Sequence, residues 1–278
     1  MKIKYLGTAA AEGIPALFCQ CDLCTKAKKQ KGKDMRGRAG MIIDDSLLVD
    51  FPPDMLMYVF NFDIDLAKIE DVIITHTHSD HFDPSQIMMR LPNCFCHIKN
   101  GNQTINIHGN AETGRLLKWF EKYEFGEEID FVKFFKMTKF NTYKIGDFEV
   151  TPFPALHKLD EDAYTYLIKK DGKAMLYLND TGLLYDEIYE YLEKENIIVN
   201  FVSFDCTFGK DPDGGNHMGM PDNAKVKEKL LNIKVVNNDT IYYITHFSHN
   251  CNQTHEELSR EAEKYGFKVA YDGMELEF

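Results

Sequence analysis

The sequence predicts one α/β domain made of two β-sheets with helices on the outside. Short apolar runs typical of strands recur along the whole chain, and segments with helical periodicity follow several of the later runs. No Pro/Gly-rich linker, low-complexity segment or repeat divides the 278 residues. At about 150 residues per domain, this length fits one large domain or two small ones. Because nothing separates two halves, we expect a single domain over residues 1–278.

The strand predictions rest on short apolar runs rich in β-branched and aromatic residues. Tight turns at Asp44-Asp45 and at Gly172 indicate that some neighbouring strands pair as hairpins. The predicted strands are Lys2–Leu6, Met41–Ile43, Leu47–Phe51, Val72–Thr75, Thr104–Ile107, Ile129–Phe135, Phe148–Phe153, Ala163–Lys169, Ala174–Leu178, Ile198–Phe204, Thr240–Thr245 and Lys268–Tyr271.

The helix predictions rest on helical spacing and on end signals. Thr254 followed by Glu257 forms a capping box. The basic run Lys26–Arg38 is predicted to be an exposed loop, and Lys210–Asp222, with three Gly and two Pro, an active-site loop or a turn. The predicted helices are Asn110–Tyr123, Leu184–Lys194, Asp222–Leu231 and Thr254–Tyr265.

Composition narrows the class of protein. With 32 Lys+Arg and 44 Asp+Glu the net charge is −12, which argues against general nucleic-acid binding. No apolar run approaches the ~18 residues that span a bilayer, so no membrane association is expected. The N-terminus is predicted to be a strand and not an export signal. Seven Cys is an odd number, which fits metal chemistry in a reducing cytoplasm better than disulfides.

The strongest motif directly follows a predicted strand and reads Thr75-His76-Thr77-His78-Ser79-Asp80-His81. Side chains two residues apart face the same way in an extended chain, so His76 and His78 can hold one metal ion together. Asp80 and His81 follow directly and can reach a second ion alongside. The alternative interpretation is a polar turn with incidental histidines.

Two ions need further ligands, and three candidates stand at the ends of apolar runs: His157, Asp180 and His246. Residues in this position often carry chemistry on a rigid scaffold. Taken singly, each candidate is explained equally well as a capped or hydrogen-bonded polar group.

A second cluster contains three thiols within six residues, Cys19, Cys21 and Cys24. A thioredoxin-like pair at Cys21 and Cys24 is one interpretation, but it leaves Cys19 unexplained. The other is a closed structural zinc site, which needs four ligands. His249, three residues after His246, is the candidate for the fourth.

The histidine motif at 76–81 is followed along the chain by His157, Asp180 and His246, and it is preceded by Asp50 at the end of a predicted strand. In this order, these residues resemble the metallo-β-lactamase superfamily. The resemblance implies an αββα sandwich of the metallo-β-lactamase type. It also implies that Asp180 bridges two ions and that Asp50 orients a ligand histidine. The implied ligand sets are His76, His78 and His157 for one ion, and Asp80, His81 and His246 for the other.

Imidazoles with a bridging carboxylate suit Zn²⁺, Mn²⁺ or Fe. Two such ions can hold a hydroxide between them and clamp the oxygens of an in-line displacement at phosphorus. The bridging Asp resembles the phosphodiesterase branch of the superfamily, and it argues against hydrolysis of β-lactams.

Gly7-Thr8, Gly13-Ile14-Pro15, the cysteine cluster and the late Thr-His-x-x-His together resemble the phosphodiesterase of the bacterial carbon–phosphorus lyase pathway. That resemblance implies hydrolysis of a cyclic ribosyl phosphodiester, a dinuclear manganese-type site, one structural zinc and a homodimer. An enzyme of pyrroloquinoline quinone synthesis shares a similar cysteine cluster, so the cluster does not determine the substrate.

The resemblance also makes His217 a candidate for contacting the phosphate or protonating the leaving alkoxide. The alternative is an exposed loop histidine. Asp205, at a strand end, is expected to support a ligand or to hydrogen-bond His217. His217 and Asp80 are the predicted catalytic residues.

We therefore expect a metal-dependent phosphodiesterase that acts on a small phosphodiester. Three alternatives stay open: an RNA-processing nuclease, an acyl or thioester hydrolase of the same fold, and a non-catalytic metal- or cofactor-binding module. RNA 3′-end cleavage, thioester turnover and turnover of a chromogenic phosphodiester would distinguish them.

Overall fold

Strands and helices alternate along the described part of the chain, which in this computed structural model comprises residues 1–99, 101–126, 129–213 and 215–278. The strands are β1 Lys2–Gly7, β2 Gly40–Ile43, β3 Leu47–Val49, β4 Asp71–Ile73, β5 Ile105–Gly109, β6 Val132–Lys136, β7 Tyr143–Ile145, β8 Phe148–Pro154, β9 Tyr164–Lys170, β10 Lys173–Leu178, β11 Phe201–Asp205, β12 Ile241–Thr245, β13 Lys268–Val269 and β14 Glu275–Glu277. The α-helices are α1 Asp22–Gln30, α2 Met55–Asn61, α3 Pro84–Ile87, α4 Ala111–Phe125, α5 Asp186–Lys194, α6 Met220–Asn232 and α7 His255–Glu263.

The strands form two sheets of seven. Their orders are β14-β1-β2-β3-β4-β5-β6 and β13-β12-β11-β10-β9-β8-β7. The predicted hairpins are present, because β2 pairs antiparallel with β3 and β9 with β10. From β3 to β6 and from β10 to β13 the neighbouring strands are parallel. Each sheet therefore has an edge at which the carboxyl ends of several parallel strands meet.

Successive side chains of a strand point to opposite faces of its sheet, so each strand contributes to two separate cores. In β10, Met175 and Tyr177 pack in the core between the two sheets. Leu176 and Leu178 point the other way, into a core with α5 and α6. The opposite face of the first sheet packs against residues of α2, α3 and α4. Two sheets with a core between them and helices on both outer faces confirm the predicted αββα sandwich.

The prediction of an exposed loop over 26–38 was wrong at both ends of the segment, although residues 31–33 are exposed and lie outside α1. Helix α1 occupies Asp22–Gln30 and buries Leu23, Cys24 and Ala27 on one face. The dense lysines of this segment obscured that apolar stripe in the sequence. Arg36 is also buried, and its guanidinium donates to Thr8 Oγ1 at 2.7 Å and to the carbonyl of Ala270 at 2.8 Å.

Helices α2 and α3 and strands β7 and β14 were not predicted, because they are too short to show a clear period. In the predicted loop 210–222, Gly214 lies outside the described residues, and α6 begins at Met220, before the loop's predicted end. Among the described residues no helix is long and apolar enough to cross a membrane.

Candidate metal centre

Three candidate residues stand just past the ends of strands and share an unusual backbone conformation. Asp50 follows β3, Asp180 follows β10 by two residues and His246 follows β12. Their φ angles are +63°, +49° and +63°, in the left-handed region that non-glycine residues rarely adopt. Such conformations cost about 1–3 kcal/mol each and cluster at functional sites. The sharp turns bring side chains from both sheets into one place.

The first group of candidate ligands consists of His76, His78 and His157. His76 Nε2 lies 2.8 Å from His78 Nδ1, and His157 Nε2 lies 3.1 Å from the same atom. Two nitrogens bound about 2.1 Å from one ion are about 3.0 Å apart at a right angle and about 3.4 Å apart at the tetrahedral angle. Burial lowers the pKa of His76, which keeps its imidazole neutral as a ligand requires.

The second group consists of Asp80, His81, Asp180 and His246, all buried. His81 Nε2 lies 3.2 Å from Asp80 Oδ2 and also contacts Asp180 Oδ2. His246 Nε2 lies 3.1 Å from Asp180 Oδ1. Because Asp180 Oδ2 is also 3.9 Å from Nε2 of His76, this carboxylate lies between the two groups.

Several of these buried atoms have no hydrogen-bond partner. His81 Nε2, Asp180 Oδ2 and His246 Nε2 are buried and unsatisfied, although His81 and Asp180 touch each other. Buried polar atoms are nearly always paired. Convergent imidazole nitrogens and carboxylate oxygens are donors that divalent cations bind, so the residues present fit a dinuclear metal site.

A carboxylate and a threonine orient two of the histidines. His81 Nδ1 donates to Asp50 Oδ2 at 2.7 Å, which leaves Nε2 free to face the site. Thr75 Oγ1 bonds to Asp50 Oδ1 at 2.9 Å and lies 3.0 Å from Nδ1 of His76. Asp50 is fully buried. It therefore fixes the tautomer of His81 directly and that of His76 through the hydroxyl of Thr75.

The second sheet repeats this arrangement with Asp205 and Thr207. The hydroxyl of Thr207 bonds to Asp205 Oδ1 at 3.0 Å and accepts from His246 Nδ1 at 2.9 Å. His217 Nδ1 donates to Asp205 Oδ2 at 2.8 Å. Burial opposes protonation of His217, but the carboxylate of Asp205 outweighs it and raises the pKa of His217 to about 9. The structure thus brings both Asp205 and His217 to the site.

The cysteine cluster lies at the start of α1, together with His249. The Nδ1 atom of His249 lies 3.3, 3.5 and 3.6 Å from the sulfurs of Cys19, Cys21 and Cys24, respectively. Tetrahedral zinc places sulfur and nitrogen ligands about 3.6 Å apart. Each sulfur also accepts a backbone N–H, from Cys21, Cys24 and Ala16 in turn. The backbone N–H contacts favour thiolates, although burial raises the pKa of the Cys24 thiol. The approach of one imidazole nitrogen to all three sulfurs fits a structural zinc with four ligands, and it gives Cys19 a role that a thioredoxin-like pair would not.

A cavity of about 480 Å³ opens onto the candidate ligands. It is lined by His78, Asp80, His157, Asp180 and His246, and by His217. The rings of His217 and His157 lie 4.7 Å apart at its wall. The cavity gives a small molecule access to both metal groups and to His217.

Sequence reasoning indicated Asp50 and Asp205 but missed three other residues that support this site. Thr75 stands inside the histidine motif and Thr207 stands two residues after Asp205, so their positions were the available signals. Glu161 gave no signal. Its carboxylate accepts from the backbone N–H of Thr77 at 2.9 Å and from Asn110 Nδ2 at 2.9 Å. It thereby holds the segment between His76 and His78.

Residues 47–247 match the β-lactamase superfamily domain. The match covers most of the chain, so the protein belongs to this family, whose fold is that of metal-dependent hydrolases. The protein is therefore a hydrolase of the metallo-β-lactamase fold.

Solved structures have the same fold over the whole chain. A diphosphatase from the PhnP family superposes with a TM-score of 0.77 at 25% identity, covering 100% of this chain and 97% of that chain. Zn²⁺-bound PqqB from Methylobacterium extorquens has a TM-score of 0.74 at 15% identity, with 100% of both chains covered. Human tRNase Z, short form, has a TM-score of 0.64 at 16% identity, covering 100% of this chain and 99% of that chain. The last two show the fold alone. No curated protein sequence matches the chain significantly.

Proposed function

We propose that the protein is a metal-dependent phosphodiesterase that hydrolyses a small phosphodiester, with a cyclic ribosyl phosphodiester as the first substrate to test. The position of Asp180 carries this proposal. One of its oxygens lies 3.1 Å from His246 Nε2, and the other contacts His81 and lies 3.9 Å from His76. A carboxylate between two ligand groups suits a pair of cations that act on phosphate. The similarity to a diphosphatase of the PhnP family supports hydrolysis at phosphorus.

The ligand assignment in this proposal is that made from the sequence. His76, His78 and His157 would hold one divalent cation, Asp80, His81 and His246 the other, and Asp180 both. Cys19, Cys21, Cys24 and His249 would hold a structural zinc. A pair of bound cations supplies hydroxide at neutral pH and neutralises negative charge on phosphate oxygens. Mn²⁺, Zn²⁺ and Fe all suit the donor set.

The chain's own residues orient the ligands and supply a proton. Asp50 and Asp205, with their threonines, hold the imidazoles in the tautomer that faces the cavity. Hydrolysis forms a bond between phosphorus and the oxygen of water and breaks the bond to the leaving oxygen. His217 would donate its Nε2 proton to that leaving oxygen, while Nδ1 stays bonded to Asp205. Such general acid catalysis contributes about 10²–10⁴-fold.

Metal content, measured together with turnover of a substrate panel, tests the proposal. The panel contains cyclic and linear phosphodiesters, an RNA with a 3′ extension and an acyl thioester. We expect turnover of a small phosphodiester, and its loss in Asp180→Ala together with loss of active-site metal. Asp239→Ala is the matched control, because Asp239 is exposed at the opposite end of β12 from His246.

Phosphodiester hydrolysis at the wild-type rate by Asp180→Ala with metal still bound would overturn the mechanism. Turnover of only the RNA or only the thioester would replace the proposed substrate class with that alternative. Absence of any turnover by the metal-loaded protein would favour a binding module. The homodimer and the cytoplasmic location stay predictions from the sequence.

A further inference from the structure

An aromatic side chain lies beside His217 in the cavity. Phe208 directly follows Thr207, lines the cavity and is 37% exposed. Its ring centroid lies 6.3 Å from that of His217, with the two planes inclined at 55°. Its exposed face is available to a bound molecule.

The turn that carries Phe208 is held by backbone hydrogen bonds. The N–H of Phe208 donates to the carbonyl of Met218 at 3.2 Å, and its own carbonyl accepts from the N–H of Asp211 at 3.1 Å. The next residue, Gly209, bonds to Cys206 and to Met220 at 3.0 and 2.8 Å. The backbone that carries the ring is therefore held in place before a ligand binds.

Two further carboxylates line the cavity beside the candidate metal ligands and His217. Beyond the candidate metal ligands, its described lining includes the carboxylates of Glu12 and Asp211, and it includes no Lys or Arg. Asp211 follows Phe208 by three residues on the same turn and is exposed. A negatively charged substrate group that lies beside Asp211 would meet this carboxylate with no Lys or Arg in the described lining to offset it.

We propose that Phe208 and Asp211 form a leaving-group subsite that takes an uncharged aromatic ring. This inference rests on the proposed function and concerns linear phosphodiesters: if His217 protonates the leaving oxygen, the group attached to that oxygen lies next to His217, where Phe208 stands. The exposed face of Phe208 stacks on a flat ring, and Asp211 disfavours rings that carry an anionic group. Phe208 and Asp211 thereby determine specificity and take no part in bond breaking.

Two substrates isolate the effect of an aromatic ring in the leaving group. Methyl benzyl phosphate and methyl cyclohexylmethyl phosphate both release a primary alcohol of similar acidity, but only the first has a flat aromatic ring. We expect the metal-loaded enzyme to release benzyl alcohol about tenfold more efficiently, since stacking on an aromatic side chain is worth about that factor or more. Phe208→Leu should remove this preference and Phe208→Tyr should keep it. Leu159→Ala is the control, because Leu159 is exposed near His157 but does not line the cavity.

A substrate analogue with an additional carboxylate tests the role of Asp211. The enzyme should discriminate against methyl 4-carboxybenzyl phosphate relative to the benzyl ester, and Asp211→Asn should reduce that discrimination several-fold. An unchanged discrimination in Asp211→Asn would remove Asp211 from the subsite.

Binding measurements separate this inference from the proposed function. Calorimetric titration of the metal-loaded protein with benzyl phosphate and cyclohexylmethyl phosphate reports the ring preference without turnover. If phosphodiesters are hydrolysed but neither kinetics nor binding favours the benzyl group, the subsite is wrong and the proposed function stands. If no phosphodiester is hydrolysed but benzyl phosphate binds more tightly in a Phe208-dependent way, the proposed function fails and the aromatic subsite stands.

Discussion

The carboxylate of Asp205 accepts a hydrogen bond from His217, with Oδ2 2.8 Å from Nδ1. The same carboxylate reaches His246 through the hydroxyl of Thr207. Asp50 and Thr75 serve His81 and His76 in the same way from the other sheet. Each sheet therefore supplies one buried carboxylate and one hydroxyl that together orient a pair of imidazoles.

Replacing His217 by Gln should slow hydrolysis according to the leaving group. A basic alkoxide needs a proton as it departs, so turnover of an alkyl phosphodiester should fall by about 10²–10⁴-fold. A p-nitrophenolate leaves without a proton, so its turnover should fall far less. The check is kcat for both substrates, with metal content measured in parallel. An equal loss on both would mean that His217 binds phosphate or metal and does not act as an acid.

Replacing Asp50 by Asn should weaken metal binding, because Asn cannot hold His81 in its tautomer as a carboxylate does. Loss of such a supporting partner typically lowers metal affinity by about 10–100-fold. Competition with a chelator measures it. Asp71→Asn is the matched control, since Asp71 Oδ1 lies 2.8 Å from Nε2 of His108, outside the candidate site. Equal effects of the two variants would contradict a specific role for Asp50.

Replacing Cys24 by Ser should remove one zinc per chain. Its sulfur is buried and accepts the N–H of Ala16, and serine is a poor zinc ligand. The free energy of unfolding should fall because binding at a structural site contributes to folding. Metal analysis and chemical denaturation measure both effects, with the exposed Cys94→Ser as control. An unchanged zinc content would rule out this site, whether or not the protein is destabilised.

Asp272 should make stability depend on pH. Burial raises the pKa of its carboxyl to about 7, even though Thr8 and Gly37 donate to it and the charge of Arg36 is near. Because the folded-state pKa lies above the unfolded value of 3.8, the folded protein holds the extra proton. The stabilisation that this extra proton gives the folded state is fully present below about pH 4 and is lost as the pH rises through 7.

The measurement is urea unfolding between pH 5 and 8 for the wild type and for Asp272→Asn. The difference in the free energy of unfolding between the wild type and the variant should fall by roughly 1–2 kcal/mol over this range. A fully buried carboxyl would give a larger change, but Asp272 is partly exposed. A constant difference between the two proteins would show that Asp272 is ionised throughout.

Much of the fold followed from local pattern. In β10 the alternation of Met175 and Tyr177 with Leu176 and Leu178 is visible in the sequence, and each pair packs on its own side of the sheet. The prediction of a loop over Lys26–Arg38 missed the end of α1, because the stripe of Leu23, Cys24 and Ala27 is narrow and is surrounded by lysines. The burial of Arg36 depends on partners far along the chain, which local periodicity does not report.

The sequence by itself determined the kind of chemistry, since the types and spacing of the histidines, aspartates and cysteines restrict which ions they suit. It also determined the alternating strands that carry those residues. Only the tertiary structure decided that Thr207 joins Asp205 to His246, that Glu161 holds Thr77, and that Phe208 stands beside His217. The reason is physical: a side chain's type and the period of its strand are local properties. Hydrogen bonds and ring contacts between distant segments exist only after the loops at the sheet edges take their tertiary conformations.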